Sequence, residues 1–328
     1  MIPLIEQQRG LTLVEMMVAL AIGSFLVIGA VQIYNQSRQA FVINESIARV
    51  QETAQFAIDT IESDLRMASN WGRTSRGLAI EGRSLPGDPN PKNFTLSPAA
   101  AQCGVDWVLD LAVPVDGSDN SFNLPCAAQG GAQAGSDLIT VRRASVLPSP
   151  VNTPGQLKIQ STRVQGELFD DITVPAMFDP ATSETHNLQV NSYYVAQPSA
   201  NNLVPNVPTL RRKTLVVNGG VSSIIDQEIA PGVENLQVQL GIDVDQDNTV
   251  DRYVNPGDEI YDPAAAGYVP GARVMTARIW LVVRGINIEL GIKDDRDYEP
   301  GNVDLGTFND NFRRLQVSKT ILLRNSRT

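Results

Sequence analysis

Two groups of residues have the types and spacing that chemistry asks for. The first is Asp243-Val-Asp245-Gln-Asp247-Asn248-Thr249-Val-Asp251. Carboxylates at relative positions 1, 3, 5 and 9, with the Thr249 carbonyl between, follow the spacing of a calcium loop. Hard cations gather several oxygens, and alternate residues of a tight loop can turn theirs inward together. Asn248 stands where such loops carry Gly, although Asn tolerates the left-handed conformation. Val254 stands where they carry a bidentate Glu, which leaves Asp258 or Glu259 of the next loop to substitute. Two uses fit: Asp243, Asp245, Asp247, Thr249 and Asp251 hold Ca2+, or they form a solvated acidic hairpin turn. The second group surrounds Glu15, a carboxylate inside the apolar run from Leu11 to Tyr34. An acid at membrane depth costs at least about 2.5–3.5 kcal/mol without a partner, so it is rare and usually functional. Gln8-Arg9-Gly10 precedes the run. A cut after Gly10 would give Leu11 a free α-amine within helical reach of Glu15, in the same chain or a neighbouring one.

No residue is assigned a catalytic role, and an enzyme is not expected. The single histidine, His186, sits in a polar stretch and is expected at the surface. No Ser-His or Cys-His pair has partners on a recognisable motif, and no GxxxxGK phosphate loop occurs. The Asp294–Asp297 run is expected to be a solvated turn, and Arg211-Arg212-Lys213 the exposed face of a strand. With 26 basic and 36 acidic residues the net charge is −10, which repels nucleic-acid phosphates. No cofactor is required. The cysteines are Cys103 and Cys126. Export of the chain beyond the apolar run implies an oxidising compartment, where one disulfide between them is the natural use of two thiols.

These groups need elements to hold them. The apolar run is long enough for a transmembrane helix of about 20 residues. Past it, Ile43, Ile47, Val50, Ala54, Ala57, Ile58, Ile61, Leu65 and Ala68 recur at steps of three and four, a single helical stripe. Glu45, Arg49, Glu52, Asp59, Glu62 and Arg66 lie off the stripe and are expected to face water. No Pro interrupts residues 11–70, and Trp71-Gly72 is a plausible stop. A helix from Leu11 to about Ala68 is on the order of 85 Å long, far more than a bilayer needs. The stripe predicts a folded head packed along its second half. Gly72–Asp137, rich in Gly, Pro, Ala and Asn, reads as long loops forming a surface insertion or a partner-facing element. Strands are predicted over Leu138–Arg143, Leu157–Gln160, Ser192–Gln197, Thr209–Val217, Val233–Ile242, the apolar Val274–Leu290 and Phe312–Leu323. No helices interleave them, so an antiparallel sheet and an α+β fold are expected.

Gly10-Leu11-Thr12-Leu13-Val14-Glu15 resembles the class III prepilin leader: Gly before the cut, an apolar residue after it, and Glu fifth in the mature chain. Leu11 stands where that family usually has Phe. Gln51–Asp59 with Asp64–Ala68 is similar to the second half of the N-terminal helix of PilW-type minor pilins, and less closely to J-type pseudopilins of type II secretion. Gly232–Tyr253 follows a PilW-like pattern. The resemblance implies a leader at residues 1–10, a transmembrane half-helix at 11–34, an amphipathic half at 35–70 and a periplasmic β-rich head at 71–328. It implies cleavage and N-methylation by a prepilin peptidase, then extraction from membrane lipid of the inner membrane into a filament. There Glu15 would pair with the Leu11 amine of an adjacent subunit. Expected partners are other minor pilins, the major pilin and the inner-membrane pilus assembly machinery, with a part in priming assembly, adhesion and twitching motility near the tip. The alternatives are a J-type pseudopilin and a membrane-anchored periplasmic binding module or adhesin.

Overall fold

In the computed structural model the structure describes residues 10, 12–82, 92, 94, 96, 106–289 and 291–326. The chain divides into two compact units, residues 1–49 and 50–328, with the division inside one long helix, α1 (Leu13–Leu65). Thr12 caps that helix and Glu15 lies in its first turn. The helix ends where the backbone turns left-handed at Ser69 (φ 62°) and Gly72 (φ 88°). Gly72 is needed there for space as well: a Cβ would sit 2.6 Å from the His186 ring and 2.7 Å from Ser161 Oγ.

In the first unit the apolar side chains of α1, from Leu13 through Phe41 and Val42, are exposed. The helix is long and apolar enough to cross a membrane. In the second unit the stripe does what its spacing predicts. Val50, Ala54, Ala57, Ile58, Ile61, Leu65 and Ala68 are buried in the main core.

The second unit is built on strands. β1 (Ile80–Glu81), β2 (Val115–Ser118), β3 (Leu138–Ala144), β4 (Lys158–Ser161), β5 (Gly166–Phe169), β6 (Glu184–Ala196), β7 (Thr209–Asn218) and β8 (Val221–Pro231) form an eight-stranded sheet. All its pairings are antiparallel except β1 with β5. A four-stranded antiparallel sheet follows, from β9 (Val233–Asp243), β10 (Arg252–Val254), β11 (Arg273–Arg284) and β14 (Arg314–Leu322), in the order β10-β9-β11-β14. The ribbon β12 (Asp297–Tyr298) and β13 (Gly306–Thr307) stands apart. Leu236, Val238 and Leu240 of β9 and Ala277, Ile279 and Leu281 of β11 bury the alternate face of the second sheet against the α1 stripe. The result is an α+β, pilin-like fold.

Several expectations are corrected. Glu62 does not face water: it is buried and bonded to Lys319 Nζ at 2.5 Å and Arg66 at 2.5 Å. The Lys319 bond outweighs burial and holds the Glu62 carboxyl below its ordinary range. Arg211 and Lys213 are not exposed. They lie buried on β7 and bond Asp226 at 2.7 and 2.9 Å, with Arg211 also 3.0 Å from Glu228. His186 lies inside the sheet on β6, 3% exposed, its Nδ1 2.8 Å from the Ser145 carbonyl. Asp294 is buried among Tyr298, Arg296 and Arg314 instead of solvated. The strand expected to reach Leu290 stops at Arg284, before Gly285, and Leu290 itself lies outside the described residues.

The stretch expected as loops contributes structure. Trp71, Ile80, Phe94, Leu96, Val108, Leu109 and Leu111 pack with Ile159, Leu168 and Val190 in a second core. Buried Arg142 draws a short helix, α2 (Asp106–Leu109), and the chain after it inward, donating to the Trp107 and Val113 carbonyls at 2.6 and 2.5 Å. Its end also runs beside β9. Asp137 N–H bonds the Leu236 carbonyl, and Asp137 Oδ2 accepts from Val238 N–H at 2.7 Å.

Candidate functional site

The helix start is the first candidate. Glu15 Oε2 accepts from Thr12 N–H at 2.9 Å and Thr12 Oγ1–H at 2.8 Å, while Glu15 N–H donates to Thr12 Oγ1 at 3.3 Å. This is a capping box, in which residues three apart satisfy each other's orphan backbone donors. The T-x-x-E spacing of such a box is present in the sequence at Thr12 and Glu15. The cap and the expected pairing with an amine are compatible, since Oε1 has no partner among the described residues. Gly10 is exposed. Leu11, whose amine the expectation invokes, lies outside the described residues, as do residues 1–9.

One face of the exposed helix carries Met16, Ala19, Leu20, Gly23, Val27 and Ile28, with Ser24 bonding back to the Ala21 carbonyl at 2.8 Å. Small residues at Ala19, Gly23 and Ser24 lower the ridge, a surface on which another helix can approach closely.

The acidic turn joins β9 to β10. Asp243, Asp245 and Asp247 each bring a carboxylate oxygen within 4.8 Å of the others. Asp251 and Thr249 make hydrogen bonds within the same turn. Asp251 Oδ2 accepts from Val244 N–H at 2.7 Å, and Thr249 donates N–H and Oγ1–H to Asp247 at 2.7 and 2.6 Å. Asp258 caps Ile260 N–H and Glu259 accepts from Gly267 N–H. Asp243 is fully buried and accepts from Arg273 Nη2 at 2.9 Å, Gln246 N–H at 2.7 Å and Asn248 N–H at 3.0 Å. Burial works to raise its pKa, but Arg273 and the two amides outweigh that and lower it. Asn248 does take the left-handed conformation (φ 68°), as does Gln246 (φ 67°).

Cys126 is disulfide-bonded. Its expected partner, Cys103, lies outside the described residues.

One residue the sequence did not flag joins the helix to the eight-stranded sheet. Asp64, at the end of α1, accepts from Arg143 Nη2 at 2.8 Å, Asn191 Nδ2 at 2.6 Å and Tyr193 Oη at 2.6 Å. Its partners lie 79 to 129 residues away, and no local spacing announces such a clasp.

Comparison with known families defines a class first. Residues 7–31 match the prokaryotic N-terminal methylation motif, placing the leader and the head of α1 in a prepilin-like protein. Residues 192–325, from the end of β6 through β14, match the family of type IV pilus-assembly protein W. Over those segments the chain is similar to PilW-type, prepilin-like proteins, which supports a relation to the minor pilins of type IV pili and, with the long apolar helix, a membrane anchor. No curated protein and no solved structure matches the chain.

Proposed function

We propose that the protein is a minor pilin that primes assembly of type IV pili and enters them at or near the tip, supporting adhesion and twitching motility. Before assembly it is held in the inner membrane with its head in the periplasm. Prepilin peptidase cuts between Gly10 and Leu11 and methylates the new amine. What carries the reading is a helix that exposes a continuous apolar surface from Leu13 to Val42 with a single acid, Glu15, at its head. Such a surface needs lipid or neighbouring helices, and the low ridge at Gly23 suits the second. Glu15 Oε1, which has no partner among the described residues, would take the Leu11 amine of an adjacent subunit. A buried pair of that kind is better suited to setting register than to adding net stability. Other minor pilins, the major pilin and the inner-membrane assembly machinery are the partners this requires. Cys103 is proposed as the disulfide partner of Cys126.

Glu15→Ala is expected to leave the protein processed and inserted but poorly incorporated into pili, and normal incorporation would overturn the pairing. The intact mass of the mature chain checks the processing. It should lack the first ten residues, carry one added methyl group and show two hydrogens fewer for the disulfide. Retention of those residues in cells with an active peptidase would sink the reading.

Calcium at the β9–β10 turn is a separate proposal, favoured by the convergence of Asp243, Asp245 and Asp247.

A further inference from the structure

The second sheet ends on β14, and its ladder with β11 decides where the β14 backbone points. Leu323 N–H bonds the Met275 carbonyl and Gly285 N–H bonds the Arg313 carbonyl. Odd-numbered residues of β14 are therefore those hydrogen-bonded to β11, and even-numbered ones turn N–H and C=O outward. Arg296 occupies the Arg314 carbonyl at 2.7 Å. Gln316, Ser318, Thr320 and Leu322 have no partner for these outward groups among the described residues.

Exposed edges of this kind are an aggregation hazard, and proteins usually blunt them. Here the others are blunted. β10, the opposite edge, has three residues; β1 has two and β2 four. Long β8 is bulged against β7 and has loop residues bonded beside it, Gly155 to Ser222 at 2.6 Å and Leu203 to Glu228 at 3.0 Å. β14 runs nine residues with no Pro and no bulge.

Beside this edge lies a groove of about 420 Å³. Its floor is Ala54 and Ile58 of α1 with Leu315 and Val317 of β14, and Glu52 and Gln55 stand on its rim. No β11 residue lines it, so it opens on the outer side of β14. Asp59 and Glu62 on the same helix are neutralised by Lys319. Glu52 has no ion pair among the described residues.

We propose that β14 is a docking edge for an extended segment of another polypeptide, which adds beside it as a further antiparallel or parallel strand. Main-chain hydrogen bonds to Gln316, Ser318, Thr320 and Leu322 would supply the pairing, and alternate apolar side chains would fill the groove. A lysine or arginine of the segment faces Glu52. A second copy of this chain is a poorer occupant, because the cations of β14, Arg314 and Lys319, are already bonded. The inference holds whether or not the chain enters a filament.

The test is photo-cross-linking of the full-length chain in its own cells, with p-benzoylphenylalanine replacing Thr320, or Val164 as an exposed control. Cross-links are expected at Thr320 and not at Val164. The captured peptide should alternate apolar and polar residues and carry a basic one. Ser318→Pro removes an outward N–H and leaves the β11 ladder intact, so the yield should fall roughly tenfold at an unchanged melting temperature. Glu52→Lys, on the exposed helix surface, gives an independent loss should the proline variant misfold. The proposal is overturned by a Thr320 yield no higher than that at Val164, or by cross-links that survive both variants. A captured segment without alternation, or one from this same chain, overturns it equally.

Discussion

Glu15 and Asp243 show how differently two carboxylates can be spent. Glu15 is exposed, with Oε2 used by Thr12 and Oε1 without a partner among the described residues. Asp243 is buried and already neutralised by Arg273. A cation entering the acidic turn must compete with that guanidinium for Asp243, and with the Val244 N–H for Asp251 Oδ2. Affinity should therefore fall in the weak class of calcium sites, about 10⁻⁴–10⁻³ M. Calorimetry on the full chain in detergent at millimolar calcium is expected to show a heat that Asp245→Ala removes. No heat at that concentration would leave the turn as a bonded, metal-free hairpin. The carboxylate spacing was legible in the sequence, but the claim of Arg273 on Asp243 was not, since it crosses 30 residues.

At the scale of elements, the last turn of α1 is fastened by Asp64. Its acceptors hold Arg143 of β3 and Asn191 and Tyr193 of β6, and burial together with the Asp64 charge pushes the Tyr193 phenol above its ordinary range. Removing one partner of a buried pair leaves the other charge uncompensated, which typically costs about 3–5 kcal/mol. Asp64→Ala is expected to lose stability on that order in denaturant titrations. Glu45→Ala, which breaks only the exposed pair with Arg49, should change it little. A loss for Asp64→Ala no larger than that for Glu45→Ala would show that the clasp is not what seats the helix. The helix and most long strands were legible because their periods of 3.6 and 2 are local. β5 and β8 were not: Gly166–Phe169 is short, and Val221–Pro231 is polar and half-buried, held by its hairpin with β7.

For the whole molecule, two buried acids set a pH dependence. Burial pushes Asp137 up to about 7 against its bonds to Asn120 and Val238 N–H, and it pushes Asp110 up to about 6 against the pull of Arg142. Between the ordinary carboxylate value near 3.8 and those values, the folded state keeps protons that the unfolded state has lost. Stability from these groups is therefore complete below about pH 4 and falls as pH rises toward 7. Thermal melts across that window should fall less steeply for Asp137→Asn than for the parent chain, and an unchanged slope would assign the dependence elsewhere. The sequence by itself determined the leader pattern, the apolar run with its one acid, the helical stripe and the antiparallel character of the head. These are signals carried within a few residues of one another, where spacing alone decides which face is apolar. Only the tertiary structure decided that His186, Arg211, Lys213, Glu62 and Asp294 lie inside, and that β14 is left as an open edge. Polar residues enter a core only when partners distant in the chain meet them there, and which strand lacks a neighbour depends on how every other strand has paired.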